Sequence, residues 1–207
     1  MLERLIVAGF GGQGVILLGK LLAQAMMDEG KHVTYFPAYG AEVRGGRANC
    51  HVIISSDEIF SPVIARADSL IVMSQLSWDF FAPCLEPGGL AVMNSSLVAP
   101  GGEHEVRPYL HASCRGESRI RPALAEASTR SLVAVPATDI ANELGDVRAT
   151  NMVMLGAYHH VRQLLPLDAL LGHLRAALGA RKAGLFDLNC RAIHRGIEAA
   201  EAADAGP

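Results

Sequence analysis

The stretch LIVAGFGGQGVILLGK, residues 5–20, constrains the fold more tightly than any other part of the chain. Residues 5–8 form a short, continuous apolar run rich in branched side chains, the pattern of a strand buried on both faces. Gly9, Gly11, Gly12 and Gly14 follow at once, and residues 15–27 favour a helix with apolar side chains on most faces. Strand, bare-backbone turn and helix in direct succession open a βαβ unit, which requires a sheet with helices packed on it. Half of the 207 residues are apolar and 19% are charged, which suits one well-buried core and argues against disorder over the whole length.

The alternation continues. Further strands are expected over residues 32–36, 50–55, 69–73, 90–93 (after the Pro87-Gly88-Gly89 turn) and 132–135. Gly30 closes the first helix, and a second is expected over 74–85 with Ser74 as its N-cap. Beyond Thr138 the periodicity is helical only, over 138–144, 151–164, 167–178 and 185–200. The expected fold class is α/β: a Rossmann-like, doubly wound, mostly parallel sheet with a C-terminal helical layer, in a single domain over residues 1–207. Residues 98–131 contain Pro100-Gly101-Gly102, several arginines and no sustained periodicity, and are expected to form an extended loop excursion. Residues 201–207 are expected to fray.

Charge and cysteine usage narrow the function classes. A net charge of -3 supplies no polybasic field for nucleic acid. Cys50, Cys84, Cys114 and Cys190 are widely separated and lack the CxxC or CxxxC spacing of zinc and iron-sulfur sites, so no metal is assigned to this chain. The N-terminus lacks the features of a secretory signal, and no apolar run approaches the roughly 20 residues that span a bilayer. A soluble cytoplasmic protein with reduced cysteines, away from any membrane, is the expectation.

Gly9, Gly11 and Gly14 satisfy GxGxxG between a strand and a helix, where missing side chains let a ligand approach the main chain and the positive helix end favours an anion. Gln13 adds an amide able to donate and to accept. A nicotinamide-binding fold also places an acidic residue about 20 positions further on, at the end of the second strand. That region reads Val33-Thr34-Tyr35-Phe36-Pro37, and the nearest carboxylate, Glu42, belongs to a different loop. On the residues alone, three readings stand: a nicotinamide site, a site for another anion, or glycines that only turn the chain and pack the helix.

YGAEVRGGRAN, residues 39–49, follows the second strand and is expected to emerge on the same carboxyl-end rim of the sheet as the first glycine turn. Tyr39, Gly40, Glu42, Arg44, Gly45, Gly46 and Arg47 are its candidate partner-facing or ligand-facing residues. The Arg44 fork suits a carboxylate or phosphate, Arg47 reinforces the positive charge, and the glycines admit a neighbouring backbone. A surface ion pair between Glu42 and Arg44 is the plainer alternative. Asn151 is expected to cap the helix that carries Met152, Met154 and Leu155, with Gly156 permitting close packing. His159 and His160 are adjacent, so they diverge on a helix, cannot form an i, i+4 metal pair, and are expected to be solvated.

GFGGQGV (9–15), YGAEVRGG (39–46) and NMVMLGA (151–157), with PATDIANELG (136–145) before the last, occur in that order. Together they resemble the gamma subunit or domain of the 2-oxoacid:ferredoxin oxidoreductases, over most of residues 3–200. The resemblance implies a non-thiamine subunit of a complex that oxidatively decarboxylates a 2-oxoacid to acyl-CoA, CO2 and reduced ferredoxin. It implies alpha and beta partners carrying thiamine diphosphate, iron-sulfur clusters in beta and in a ferredoxin-like delta subunit, and ferredoxin as acceptor. This chain would supply structure and accommodate coenzyme A, without a general acid or nucleophile and without activity alone. The motifs lean slightly toward a 2-oxoglutarate or branched-chain substrate over pyruvate. Residues 98–131 depart from the resemblance, being longer and more arginine-rich than the usual connection. The competing readings are a stand-alone NAD(P)- or flavin-binding oxidoreductase and a regulatory nucleotide-binding module. Self-association of the isolated chain, through apolar surface meant for partners, is a further expectation.

Overall fold

The computed structural model describes residues 1–39, 46–99, 131–179 and 183–204. Among these, the strands in chain order are β1 (Leu2–Phe10), β2 (His32–Tyr39), β3 (Arg47–Ser55), β4 (Ala67–Val72), β5 (Leu85–Asn94) and β6 (Ser131–Val135). They form one mixed sheet in the order β2-β3-β1-β4-β5-β6. β1, β4, β5 and β6 pair in parallel, whereas β3 runs antiparallel to both of its neighbours, β1 and β2. β2 therefore points the same way as β1, and β3 alone is reversed. The reversal departs from an uninterrupted series of βαβ units, and its cause is the short connection between Tyr39 and Arg47. A parallel crossover needs about a dozen residues or more, so the chain returns beside β2 and fills the gap between β2 and β1.

Helices cover both faces, as a doubly wound sheet requires. Along β1, Leu5 and Val7 face the larger core, while Ile6 and Ala8 face the smaller one. The smaller core is closed by Trp78 and Phe81 of α2 (Gln75–Phe81), with Ile64 and Val98 from the flanking connections. Ser74 is the N-cap of α2, and its side chain accepts from the Ser77 N–H. The α-helix stops at Phe81, short of residue 85, and a 3-10 turn over Ala82–Cys84, which contains Pro83, leads into β5. Val98, the first residue of the expected excursion, is buried; residues 100–130 lie outside the described residues.

The larger core receives α1 (Val15–Asp28) and the C-terminal layer of α3 (Ala137–Glu143), α4 (Thr150–Arg162), α5 (Leu167–Leu178) and α6 (Ala183–Asp204). α6 continues through Glu201–Asp204, so the first four residues of the expected frayed tail are helical; alanine and glutamate are strong helix formers. α4 and α6 meet backbone to backbone. A Cβ on Gly156 would strike the Ile193 carbonyl, and one on Gly196 would strike the Val153 carbonyl.

α4 is also tied to the amino ends of the central strands by a polar cluster that the sequence does not announce. The buried Glu3 carboxylate accepts from the Ser69 hydroxyl and from the Tyr158 hydroxyl (3.0 Å), and faces Arg162 Nε at 3.3 Å. Arg162 also donates to the Ser69 hydroxyl and to the Asp68 carbonyl, each at 2.8 Å. Arg4 grips the Asp68 carboxylate with two nitrogens, at 2.9 and 2.8 Å. Burial pushes the Asp68 carboxyl up, but the Arg4 bonds outweigh it and hold the group below its ordinary value. Among the described residues no helix is long and apolar enough to cross a membrane.

Candidate functional site

β1 delivers Phe10 to the carboxyl edge of the sheet, and the chain turns through Gly11, Gly12, Gln13 and Gly14 into α1. Gly14, at the N-cap, has φ 74°, in the left-handed region that glycine adopts without strain. Gly12 has φ 108°, and among the described residues no atom lies within 4 Å of where its Cβ would be, so they leave the outer side of the turn open. Gly9 is buried beneath, where an added Cβ would run into Gln13 Oε1 and Val15.

The Gln13 side chain is spent on the fold. Its Oε1 accepts from the Phe10 N–H at 2.9 Å, and its Nε2 donates to the Met73 carbonyl at 2.8 Å. The amide thus bridges the carboxyl ends of β1 and β4, the two strands whose following helices lie on opposite faces of the sheet. A doubly wound fold receives a dinucleotide near this switch point, and here a glutamine amide spans it. Ser77 completes the inner wall: its hydroxyl is fully buried and donates to the Gly9 carbonyl at 3.1 Å. Sequence reasoning missed Ser77, since a serine three positions after an N-cap has no distinguishing signal. Gln13→Ala removes both amide bonds, and is expected to lower stability by about 1–3 kcal/mol in chemical denaturation.

The second loop meets the first. In the sheet register Phe10 is opposite Arg47, and Tyr39 is opposite Ala48, which sets both loops at one rim. The Gly11 N–H donates to the Gly46 carbonyl at 3.0 Å. Arg47 lays its guanidinium 4.3 Å from the centre of the Phe80 ring on α2. Tyr39 ends β2, while Gly40, Glu42, Arg44 and Gly45, with the expected Glu42–Arg44 pair, lie outside the described residues.

The third sequence element reaches the same turn. α4 begins at Thr150 with Ala149 as N-cap, so Asn151 does not cap the helix. It is buried, and its Nδ2 donates to the Gly14 carbonyl at 3.2 Å. A Cβ on Gly14 would collide with that same amide. The three elements, more than 100 positions apart at the extremes, thus converge through the Gly11–Gly46 and Gly14–Asn151 bonds.

Beneath the turn, Cys50 Sγ lies 3.7 Å from the Val15 carbonyl and occupies the space that a side chain on Gly19 would need. Burial pushes its thiol up to about 12, which makes it a packing residue and no nucleophile. His159 and His160 are half-buried, contrary to the expectation of solvated rings. Burial holds His159 below its ordinary value, and His160 lies 3.5 Å from Asp204 and 3.8 Å from Glu201. What the rim offers chemically is an outward-facing backbone turn at a helix N-terminus, braced by amides from behind.

The family described as pyruvate ferredoxin/flavodoxin oxidoreductase matches residues 4–199. The ketoisovalerate oxidoreductase subunit VorA of Methanothermobacter thermautotrophicus is 35% identical over 199 residues, covering 94% of this chain and 36% of its own. The chain thus spans only about a third of that relative, and 27% of the corresponding subunit of Methanothermobacter marburgensis. The 2-oxoglutarate synthase subunit KorC of Methanocaldococcus jannaschii is 26% identical over 205 residues, covering 97% of this chain and 95% of its own. Among solved structures, the gamma subunit of a keto/oxoacid ferredoxin oxidoreductase from Geobacter sulfurreducens superimposes with a TM-score of 0.72 at 25% identity, over 97% of this chain and 99% of that one. The glycine turn, the second loop and the Asn151 helix all fall inside the matched residues, and the chain belongs to the pyruvate ferredoxin/flavodoxin oxidoreductase family.

Proposed function

We propose that this chain is the gamma component of a 2-oxoacid:ferredoxin oxidoreductase, and that its carboxyl-end rim faces the companions and accommodates coenzyme A during acyl transfer. The observation that carries the reading is the Gly11–Gly46 bond, which joins the two glycine loops into one surface with its open side outward. Four large apolar side chains at this end of the sheet support a covered surface: Phe10, Leu17, Leu76 and Leu97 are 39, 53, 58 and 44% exposed. Thiamine diphosphate and iron-sulfur clusters would reside in alpha, beta and delta partners, which decarboxylate the oxoacid and pass electrons to ferredoxin. The part played by this chain is positioning. The Gly11 and Gln13 N–H groups are engaged by the Gly46 and Phe10 carbonyls. The main-chain N–H groups of Gly12, Gly14 and the first turn of α1, with the Arg44 guanidinium, would therefore hold phosphate groups of the coenzyme or acidic groups of a partner. The relatives named for ketoisovalerate and 2-oxoglutarate favour a branched-chain or dicarboxylic 2-oxoacid. A stand-alone NAD(P) or flavin enzyme is the weaker reading, because the Gln13 amide spans the switch point between β1 and β4 and β2 ends without a carboxylate.

Affinity capture of the tagged chain from its own cells, followed by mass spectrometry, tests the assignment. Thiamine-bearing partners should co-purify; their absence under gentle conditions, or tight NAD(P) binding by the isolated chain in calorimetry, refutes it. In the reconstituted complex Arg44→Ala should reduce coenzyme A-dependent oxidation about tenfold or more, the equivalent of one charge-assisted bond, with the chain still folded.

A further inference from the structure

We infer that Asn151 is a positioning residue for the glycine rim, acting by fixing the peptide that joins the turn to α1; the inference rests on the proposed coenzyme- and partner-facing role of that rim. The Gly14 carbonyl accepts from two donors, the Leu18 N–H at 3.0 Å and Asn151 Nδ2 at 3.2 Å. The first is the ordinary opening bond of a helix and lies within α1. The second comes from a residue 137 positions away, on a different helix, and is independent of α1. A peptide group is planar and trans, so whatever holds the Gly14 oxygen also sets the direction of the N–H on the other side of the same bond, that of Val15. Asn151 therefore adds, from outside α1, a second restraint on the peptide that carries the first N–H of α1.

Shape reinforces the bond. The asparagine amide stands where a Cβ at position 14 would be, so only a glycine there leaves room for it. On the opposite side Gln13 ties the turn to Met73. The turn is thus clamped between β4 and α4, while among the described residues nothing lies within 4 Å of an added Cβ at Gly12 on its outer face. α4 is anchored in turn at its far end, where Arg162 donates to the Asp68 carbonyl. A helix held at both ends of the sheet gives the clamp a fixed base, so that the rim is set before any ligand or partner arrives.

The test uses Asn151→Ala, which keeps the helix and removes the donor without adding volume, with Asn151→Asp as a second, near-isosteric variant. Hydrogen exchange on the full chain should show faster exchange in peptides covering residues 11–15, by about tenfold, with α4 core amides nearly unchanged. In the reconstituted complex the KM for coenzyme A, or the dissociation constant for the partner subunits, should rise about fivefold or more while kcat stays within about twofold. Wild-type exchange at residues 11–15 in both variants overturns the inference, whatever the activity. Faster exchange without any change in KM or assembly overturns it equally. Loss of the proposed function itself reads differently: a wild-type complex that forms but shows no coenzyme A-dependent oxidation of any 2-oxoacid.

Discussion

Gly156→Ala is expected to destabilise the protein, although the same change in an exposed helix interior stabilises by about 1 kcal/mol. The new methyl group would meet the Ile193 carbonyl on α6, and Gly196→Ala would meet the Val153 carbonyl on α4. A side chain in the way can rotate, but a backbone oxygen cannot, so relief requires the helices to separate. Overpacking of this kind costs about 3 kcal/mol, which exceeds the propensity gain and leaves a net loss of about 2 kcal/mol. For a chain of this size the melting temperature should fall by roughly 4–8 °C. The double variant should lose less than the sum, because one separation relieves both clashes. A rise in melting temperature for either single variant would mean that the helices do not touch.

Arg162→Ala should be as damaging, for an electrostatic reason. It leaves the buried Glu3 carboxylate facing two hydroxyl donors and no cation, and strips a donor from the Asp68 carbonyl. Breaking a buried pair costs about 3–5 kcal/mol, and the lower end applies because the Arg162 side chain remains 29% exposed. Glu3→Gln combined with Arg162→Met should recover part of the loss in urea denaturation, since it removes both charges together. The same cluster predicts an alkaline limit. Burial, and then the adjacent Glu3 charge, push the Tyr158 phenol well above its ordinary value, so the folded state keeps its proton where the unfolded chain releases it. The stabilisation is whole below about pH 10 and is lost as the pH climbs toward the folded value. Tyr158→Phe should remove this contribution to the alkaline slope and, by deleting one bond to a carboxylate, lower stability at neutral pH by about 1.5–3 kcal/mol.

Much of the fold was legible because periodicity and turn chemistry are local. The strand at 5–8, the glycine turn, the helix from Val15 and the helix over Leu167–Leu178 all follow from side chains whose burial pattern repeats over a few residues. Placement of the two glycine loops on one rim was also legible, since both follow strands that leave the sheet in the same direction. The reversal of β3 was not, because an apolar strand reads alike in either direction and only the length of the preceding connection excludes a crossover.

The site divides in the same way. Sequence alone determined where bare backbone stands, which loops carry arginine, and that no acidic residue closes the second strand. Tertiary structure decided what those groups do. Gln13 turns inward to bridge β1 and β4, Arg47 lies over Phe80, and Asn151 holds the Gly14 carbonyl. An amide or a guanidinium has the same chemistry wherever it stands in the chain. Which donor or acceptor it meets is set by partners tens of residues away, and those are brought within reach only when the sheet and the helical layer close around the core.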